Sequence, residues 1–386
     1  MSAEPELGVQ RVTMPKWGLS MTEGRVVEWL VGEGTGVRRG TSLVEIETEK
    51  SVGVVEAVQE GVLRRIVAPA GARVPVGGTI AVLADPDVPE EIVEQVVADA
   101  QVQLAAGDVE ETGGPQLAVA DVEGRTITAT LSGAGPETVV LVHGFGGDKN
   151  NWAFVQDALS NTYRCLAIDL PGHGSSDKDV GDGSLEHLAS VFSGWLEQME
   201  NGPVHLVGHS LGGAVAVAVA RSRPDQVRSV TLVAPAGLGS PPDVEYLRGF
   251  AEATARRELN PLLSRLFADK RFVTRQMTED LLRYKRIDGV SQALRQLLQT
   301  LLDGDRQALD LIGTLGELAV PVVLVWGAED RVLPAPDVSG LPPRVSAHVV
   351  PGVGHMVPIE QPAQVVDAVR EAVAAASRRP DPYQAS

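Results

Sequence analysis

The 386-residue chain has a single cysteine, Cys165. One thiol rules out an intrachain disulfide and any multi-cysteine metal site, and it fits a reducing compartment. Its setting, the apolar run YRCLAIDL, reads as a buried strand residue rather than a reactive thiol. Positive charge is also short: 33 Lys and Arg stand against 51 Asp and Glu, for a net charge of −18. Non-specific nucleic-acid binding needs lysine and arginine to neutralise phosphates, so that class is excluded. The sequence has no basic amphipathic helix for an anionic membrane surface. Its longest small-apolar run, Ala214 to Ala220, is far short of the ~20 residues that span a bilayer. The N-terminal MSAEPELGVQ is acidic and lacks an apolar core, so no secretory signal is expected. No CxxC, no HExxH and no GxGxxG after a strand occur, which leaves metal and dinucleotide readings without support. These absences together predict a cytoplasmic protein with no membrane or nucleic-acid partner.

What is present is ordinary globular composition, 44% hydrophobic with mean hydropathy +0.03, in a length that suggests two or three domains. The first 85 residues contain an internal repeat. A shift of 37 lays Glu23-Gly24 on Glu60-Gly61, Gly34 on Gly71, Val37 on Val74, Gly40 on Gly77 and Ile46 on Leu83. Each half reads as short alternating strands punctuated by glycine. Two such halves can bury their apolar faces against each other as a small all-β sandwich over residues 1–85. Where the first half hands over to the second lies EIETEKSVGVVEA, a strand, a tight turn and a strand, with Lys50 at the turn. Most such lysines are merely solvated; the alternative is that something is attached to this one.

Residues 86–112 hold eight acids and no lysine or arginine. Ile92, Val93, Val96, Val97 and Ala100 have helical spacing, so residues 86–114 read as an acidic, partly helical linker that self-repulsion keeps extended. From residue 115 to 386 the pattern becomes α/β. TVVLVHG, YRCLAIDL, PVHLVGHS, VRSVTLVAPA and VPVVLVWG are buried-strand runs alternating with helical stretches, which implies a mostly parallel sheet covered on both faces. Residues from about 240 to 316 show no clear strand and read as a helical cap over the sheet.

Within this domain Gly208-His209-Ser210-Leu211-Gly212 follows the strand VHLV and opens the helix AVAVAVA. A serine on a sharp strand-to-helix turn presents its hydroxyl at the sheet edge, and the helix N-terminus can stabilise an oxyanion. The hydroxyl needs a base, and the base needs an acid to orient it. Seven histidines compete. His205 and His348 lie within strand patterns, His187 on a helix, and His143 and His173 in the Gly-rich turns HGFGG and PGHGSS. His209 adjoins the serine and points elsewhere on the turn. His355 lies in a loop just past the last strand, where such sites assemble, and is the candidate base. Asp330 in GAEDRVLP is the candidate acid, with Glu329 its neighbouring alternative; the order Ser210, Asp330, His355 is that of an α/β-hydrolase. The backbone N–H groups of Phe145 and Leu211 are the candidate oxyanion donors. Asp169 to Ser175 reads as turn-forming residues on the same rim.

Two resemblances rest on these motifs. MPKWGLSMTEG, GTGVRRGTSLVEIETEKS and Gly61 resemble a lipoyl domain of 2-oxo acid dehydrogenase complexes, over residues 9–85. That implies lipoate carried covalently on Lys50. A biotinyl domain has the same fold but flanks its lysine with methionines, whereas Glu49 and Ser51 stand here. HGFGG, DLPGHGSSD, GHSLGG, GAEDRVLP and GVGHMVPIEQP resemble the α/β-hydrolases over residues 115–376. The combination is similar to the acyltransferase (E2) component of the acetoin dehydrogenase complex. It implies coenzyme A as co-substrate, with a thiamine-diphosphate-dependent E1 enzyme and lipoamide dehydrogenase as partners. Ordinary E2 chains also carry an H-x-x-x-D-G motif and a basic peripheral-subunit-binding domain. Both are missing here, so any acyl transfer in this chain falls to Ser210. The core-building element of E2 assemblies is missing with them, and a homo-oligomer stays open. Two other readings remain: a serine hydrolase or thioesterase fused to a lipoyl carrier, and a non-catalytic carrier and docking subunit.

Overall fold

A computed structural model describes residues 8–17, 21–48, 52–57, 59–106, 115–200, 202–238 and 241–378. The chain divides into two compact units, Met1–Gln116 and Leu117–Ser386.

The first unit contains strands β1 (Val9–Thr13), β2 (Glu23–Trp29), β3 (Gly36–Val37), β4 (Ser42–Glu47), β5 (Val52–Glu56), β6 (Gly61–Ile66), β7 (Arg73–Pro75) and β8 (Thr79–Ala84). They form two four-stranded sheets, β1-β8-β6-β3 and β5-β4-β2-β7. Exchanging β4 with β8, β2 with β6, β3 with β7 and β1 with β5 turns one order into the other. The 37-residue repeat is therefore a structural two-fold. The paired glycines Gly34 and Gly71 both take positive φ (82° and 89°), a turn conformation that side chains resist, which is why the repeat shows as glycine on glycine. Val26, Leu43, Ile46, Leu63, Ile80 and Leu83 fill the space between the sheets.

The described part of the acidic segment, residues 86–106, is not extended. Helix α1 (Glu90–Ala106) packs on this same unit, with Val93, Val96 and Val97 against Val82 and Ala84 of β8. Ion pairs hold its start: Arg64 Nη2 lies 2.6 Å from Glu90, and Arg65 pairs with both Glu90 and Glu94. The extended expectation failed because it weighed charge only within the segment. The neutralising arginines come from β6, distant in sequence, and the valine stripe outweighs the remaining repulsion. Residues 107–114, between α1 and the next strand, lie outside the described residues. Val93 is fully buried. Val93→Asp is expected to release α1 at a cost of about 3 kcal/mol, since it strands a charge under the helix. Hydrogen exchange on the full-length protein would show amides 93–106 losing protection while β10 and later strands keep theirs; unchanged protection refutes the docking.

The second unit is an eight-stranded sheet. It uses β9 (Gln116–Val122), β10 (Arg125–Ser132), β11 (Thr138–Val142), β12 (Arg164–Ile168), β13 (Val204–His209) and β14 (Val227–Val233). Two more strands, β17 (Val322–Gly327) and β18 (Val345–Val350), complete it after a minor hairpin of β15 (Leu302–Asp303) and β16 (Arg306–Gln307). The order is β18-β17-β14-β13-β11-β12-β10-β9, parallel from β12 to β18, with β10 antiparallel to β12. Helices α2 (Ala153–Ser160), α10 (Val357–Glu360) and α11 (Pro362–Ser377) share one face of the sheet, packed on residues such as Val139, Leu141 and Val325. Helices α3 (Leu185–Met199) and α4 (Leu211–Ser222) cover the other face through Val140, Leu206 and Leu232. The cap comprises α5 (Val244–Glu252), α6 (Arg256–Leu266), α7 (Arg275–Lys285) and α8 (Val290–Leu301). The last part of the expected cap differs: α9 (Ile312–Glu317) packs beside α4, on the sheet layer. β11 continues to β12 on one side, and the chain then crosses to β13 on the other. That switch point opens a crevice at the carboxyl ends of β11 and β13.

Candidate active site

Ser210 stands between β13 and α4, at the switch point, with φ 51° and ψ −118°. A non-glycine residue holds this strained conformation only when its surroundings over-determine it. Here they do. The Ser210 N–H donates to Val233 O (3.0 Å), and its carbonyl accepts from Gly213 and Ala236, both at 3.0 Å. The flanking glycines are a matter of space. A Cβ at Gly208 would lie 2.3 Å from Gly212 O, and one at Gly212 would lie 2.2 Å from Val142 O. G-x-S-x-G is therefore the spacing at which the strand, the turn and the first helical turn can touch.

His355 follows the β18 turn, and its Nδ1 is 2.7 Å from Asp330 Oδ2. A carboxylate accepts, so Nδ1 carries the proton and Nε2 is left with a free lone pair. Asp330 is buried and fully engaged. Oδ2 also accepts from Trp326 Nε1 (3.1 Å), while Oδ1 accepts from the N–H groups of Val332 (2.8 Å) and Leu333 (2.9 Å). Glu329, the alternative acid, points away and accepts the Val353 N–H at 2.9 Å. Its work is to brace the loop. Among the described residues, the Ser210 hydroxyl makes no hydrogen bond to His355; such contacts tighten when substrate binds. The two loops nevertheless meet, because His209 Nε2 reaches His355 O at 3.0 Å and their rings stand 4.7 Å apart.

Among the described residues the N–H groups of Phe145 and Leu211 have no internal acceptor, as an oxyanion donor pair requires. The loop that presents Phe145 is held by the two histidines of the Gly-rich turns. His173 Nε2 accepts the Gly146 N–H (3.0 Å) and its Nδ1 donates to Pro171 O (2.9 Å). His143 Nε2 accepts from the Leu170 N–H (3.0 Å). Burial pushes His173 down to about 3 and lowers His143 and His209 as well, so all three serve as neutral braces. Asp169 ties the rim together: it lies 2.5 Å from Lys149 Nζ and accepts from Thr128 Oγ1 and the Ser175 N–H. Trp326 and His209 are the contributors that sequence reading passed over. Trp326 sits four residues before the acid on the same strand end, a spacing that could have flagged it. His209 gave no signal, because its partner is a backbone carbonyl 146 residues on.

Lys50, with Glu49 and Ser51, lies outside the described residues. Its flanking strands are described, and β4 and β5 pair in register up to Glu47 opposite Val52. A group carried on one lysine needs no pocket, only a hairpin to present it, and these strands supply one.

Residues 137–362 match the family described as alpha/beta hydrolase fold, and residues 10–83 match that described as biotin-requiring enzyme. Fold and family matches together define an α/β-hydrolase fold joined to a biotinyl/lipoyl-type domain. A protein of Pseudomonas putida, named dihydrolipoyllysine-residue acetyltransferase component of acetoin cleaving system, is 44% identical over 359 residues, covering 92% of this chain and 96% of that relative. A protein of the same name from Cupriavidus necator is 40% identical over 362 residues, covering 94% and 96%. The chain belongs to this family of dihydrolipoyllysine-residue acetyltransferase components. Among solved structures, a 2-hydroxy-6-oxo-6-phenylhexa-2,4-dienoate hydrolase of a Rhodococcus strain overlays with a TM-score of 0.61. It is 20% identical and covers 68% of this chain and 100% of that one, a likeness of fold alone. No described helix is long and apolar enough to cross a membrane.

Proposed function

We propose that this chain is the acetyltransferase component of an acetoin-cleaving complex and that its Ser210 site passes an acetyl group from a lipoyl arm on Lys50 to coenzyme A. The observation that carries this reading is the Asp330–His355 pair beside the Ser210 elbow, in the same chain as a lipoyl-type hairpin. The prosthetic group, when attached, supplies a dithiol that presents the acyl group as a thioester. The chain's own residues do the rest. Ser210 Oγ attacks the thioester carbonyl as His355 Nε2 takes its proton, and the Phe145 and Leu211 N–H groups hold the oxyanion. The C–S bond breaks, and His355 returns the proton to the departing thiol. Coenzyme A thiol then loses its proton to His355 and attacks the acyl-serine; the C–O bond breaks, and His355 gives that proton to Ser210 Oγ. Asp330 keeps the imidazole in the tautomer each step requires. Partners of such a system, a thiamine-diphosphate-dependent enzyme and lipoamide dehydrogenase, would charge the arm and reoxidise it.

The test is product analysis with acetyl-dihydrolipoamide and the lipoylated full-length protein. Acetyl-CoA should form in a reaction that depends on coenzyme A, with little free acetate. Acetate released at the same rate with and without coenzyme A refutes transfer and makes the site a thioesterase.

A further inference from the structure

Two buried charged side chains take no part in that chemistry: one joins the cap to a catalytic loop, and the other ties together the cap helices that seat on a second such loop. Glu360 on α10 is 9% exposed. Its Oε1 accepts the N–H groups of Ala268 (2.8 Å) and Asp269 (3.2 Å), where the chain leaves α6 of the cap. Its Oε2 accepts the N–H of Gly354 (2.8 Å), next to the base. The same α6 terminus binds the base loop directly. Leu266 O accepts from the His355 N–H (2.8 Å) and the Met356 N–H (3.2 Å). Gly354 permits the contact, since a Cβ there would lie 2.7 Å from Ala268 N. No ion-pair partner is present for Glu360 among the described residues, and burial raises its pKa. Backbone dipoles alone offset its charge.

Lys285, on α7, is 8% exposed. Its Nζ donates to the carbonyls of Phe250 (2.6 Å) and Ala251 (3.0 Å), in the last turn of α5, and stands 5.0 Å from the Phe250 ring centroid. That ring seats on the oxyanion loop. It meets the Phe145 ring edge-on at 6.2 Å, and a Cβ at Gly146 would lie 2.2 Å from it. The neighbouring Tyr284 donates from its hydroxyl to Gly172 O (2.9 Å), on the turn whose His173 holds the Gly146 N–H. Lys285 is pushed down to about 8 by burial, against the pull of Glu252.

We propose that Glu360 and Lys285 are positioning residues that make the active geometry conditional on a seated cap, Glu360 through the His355 loop and Lys285 through Phe250 to the Phe145 donor. Lifting the cap to admit an acyl arm then displaces both the base and the oxyanion donor. Full competence returns only when the cap has closed and excluded water, which favours transfer over hydrolysis. The proposal rests on Ser210 being the nucleophile.

The test uses Glu360→Gln and Lys285→Met in the full-length protein, with Lys285→Arg as the conservative rescue. The Gln amide turns its NH2 toward either the Ala268 and Asp269 N–H groups or the Gly354 N–H, so one side of the junction is lost. A misplaced catalytic group costs on the order of 10- to 100-fold, so kcat per fluorophosphonate-titrated site should fall by about that factor with KM within about twofold. The rate of fluorophosphonate labelling should fall in parallel, and Lys285→Arg should recover part of both. Unchanged kcat per titrated site and unchanged labelling in both variants overturn the proposal. A wild-type protein that fluorophosphonate never labels refutes the Ser210 reading instead. If the variants do not fold, wild-type hydrogen exchange decides. The amides of Ala268, Asp269 and Gly354 should open at one common rate, and clearly separate rates overturn the coupling.

Discussion

Ser210→Ala should abolish acetyl transfer from acetyl-dihydrolipoamide to coenzyme A, lowering kcat by on the order of 10⁴-fold or more. The reason is local. The serine hydroxyl stands at the elbow between β13 and α4, and its strained φ of 51° is maintained by backbone hydrogen bonds that alanine would keep. Fold and substrate binding are therefore preserved, and only the nucleophile is removed. The residual rate measures what the oxyanion donors and binding contribute without a covalent step. Steady-state kinetics with labelling by a fluorophosphonate probe check this directly. Acetyl-CoA formation at the wild-type rate in the Ala variant would place transfer elsewhere and leave the second domain as a docking module.

Lys50→Arg has a different signature and separates the two domains. Arginine keeps the positive charge but cannot form the amide to lipoate, so intact mass should show the group missing from the purified protein. Only Lys16 and Lys50 supply amines in side chains of the first unit, so peptide mapping decides between them. Turnover of the assembled system should collapse to background. A tethered arm works at an effective concentration in the mM range, and loss of the tether costs roughly 10²- to 10⁴-fold. The Ser210 site should be unaffected when given free acetyl-dihydrolipoamide, with kcat and KM within about twofold. A variant that still carries lipoate, or that supports full-system turnover, contradicts Lys50 as the attachment point.

The readability of this chain from sequence follows the range of the interactions involved. The 37-residue repeat was legible because its glycines occupy turns that demand positive φ in both halves, a local requirement. The G-x-S-x-G elbow was legible for a similar reason. Gly208 is crowded by Gly212, four residues on across the turn that exposes Ser210. The alternating βα pattern of the second domain likewise reports short-range periodicity.

Other features were decided by groups far apart in the chain. The acids of residues 86–112 read as an extended linker, but over the described residues 86–106 the arginines Arg64 and Arg65 face Glu90 and Glu94 and the helix docks. The choice of Asp330 over Glu329 came from which carboxylate turns toward Trp326 and His355, a question of rotation that adjacent acids in one loop leave open. His209, Glu360 and Lys285 showed nothing in the sequence, because their partners are main-chain carbonyls and N–H groups, which every residue has. Side-chain type and spacing thus made the two folds legible and singled out Ser210 and His355 as candidates. The docking of α1, the contact of Asp330 rather than Glu329 with His355, and the junctions between cap and catalytic loops required the folded chain, since backbone hydrogen bonds and long-range ion pairs leave no mark on local spacing.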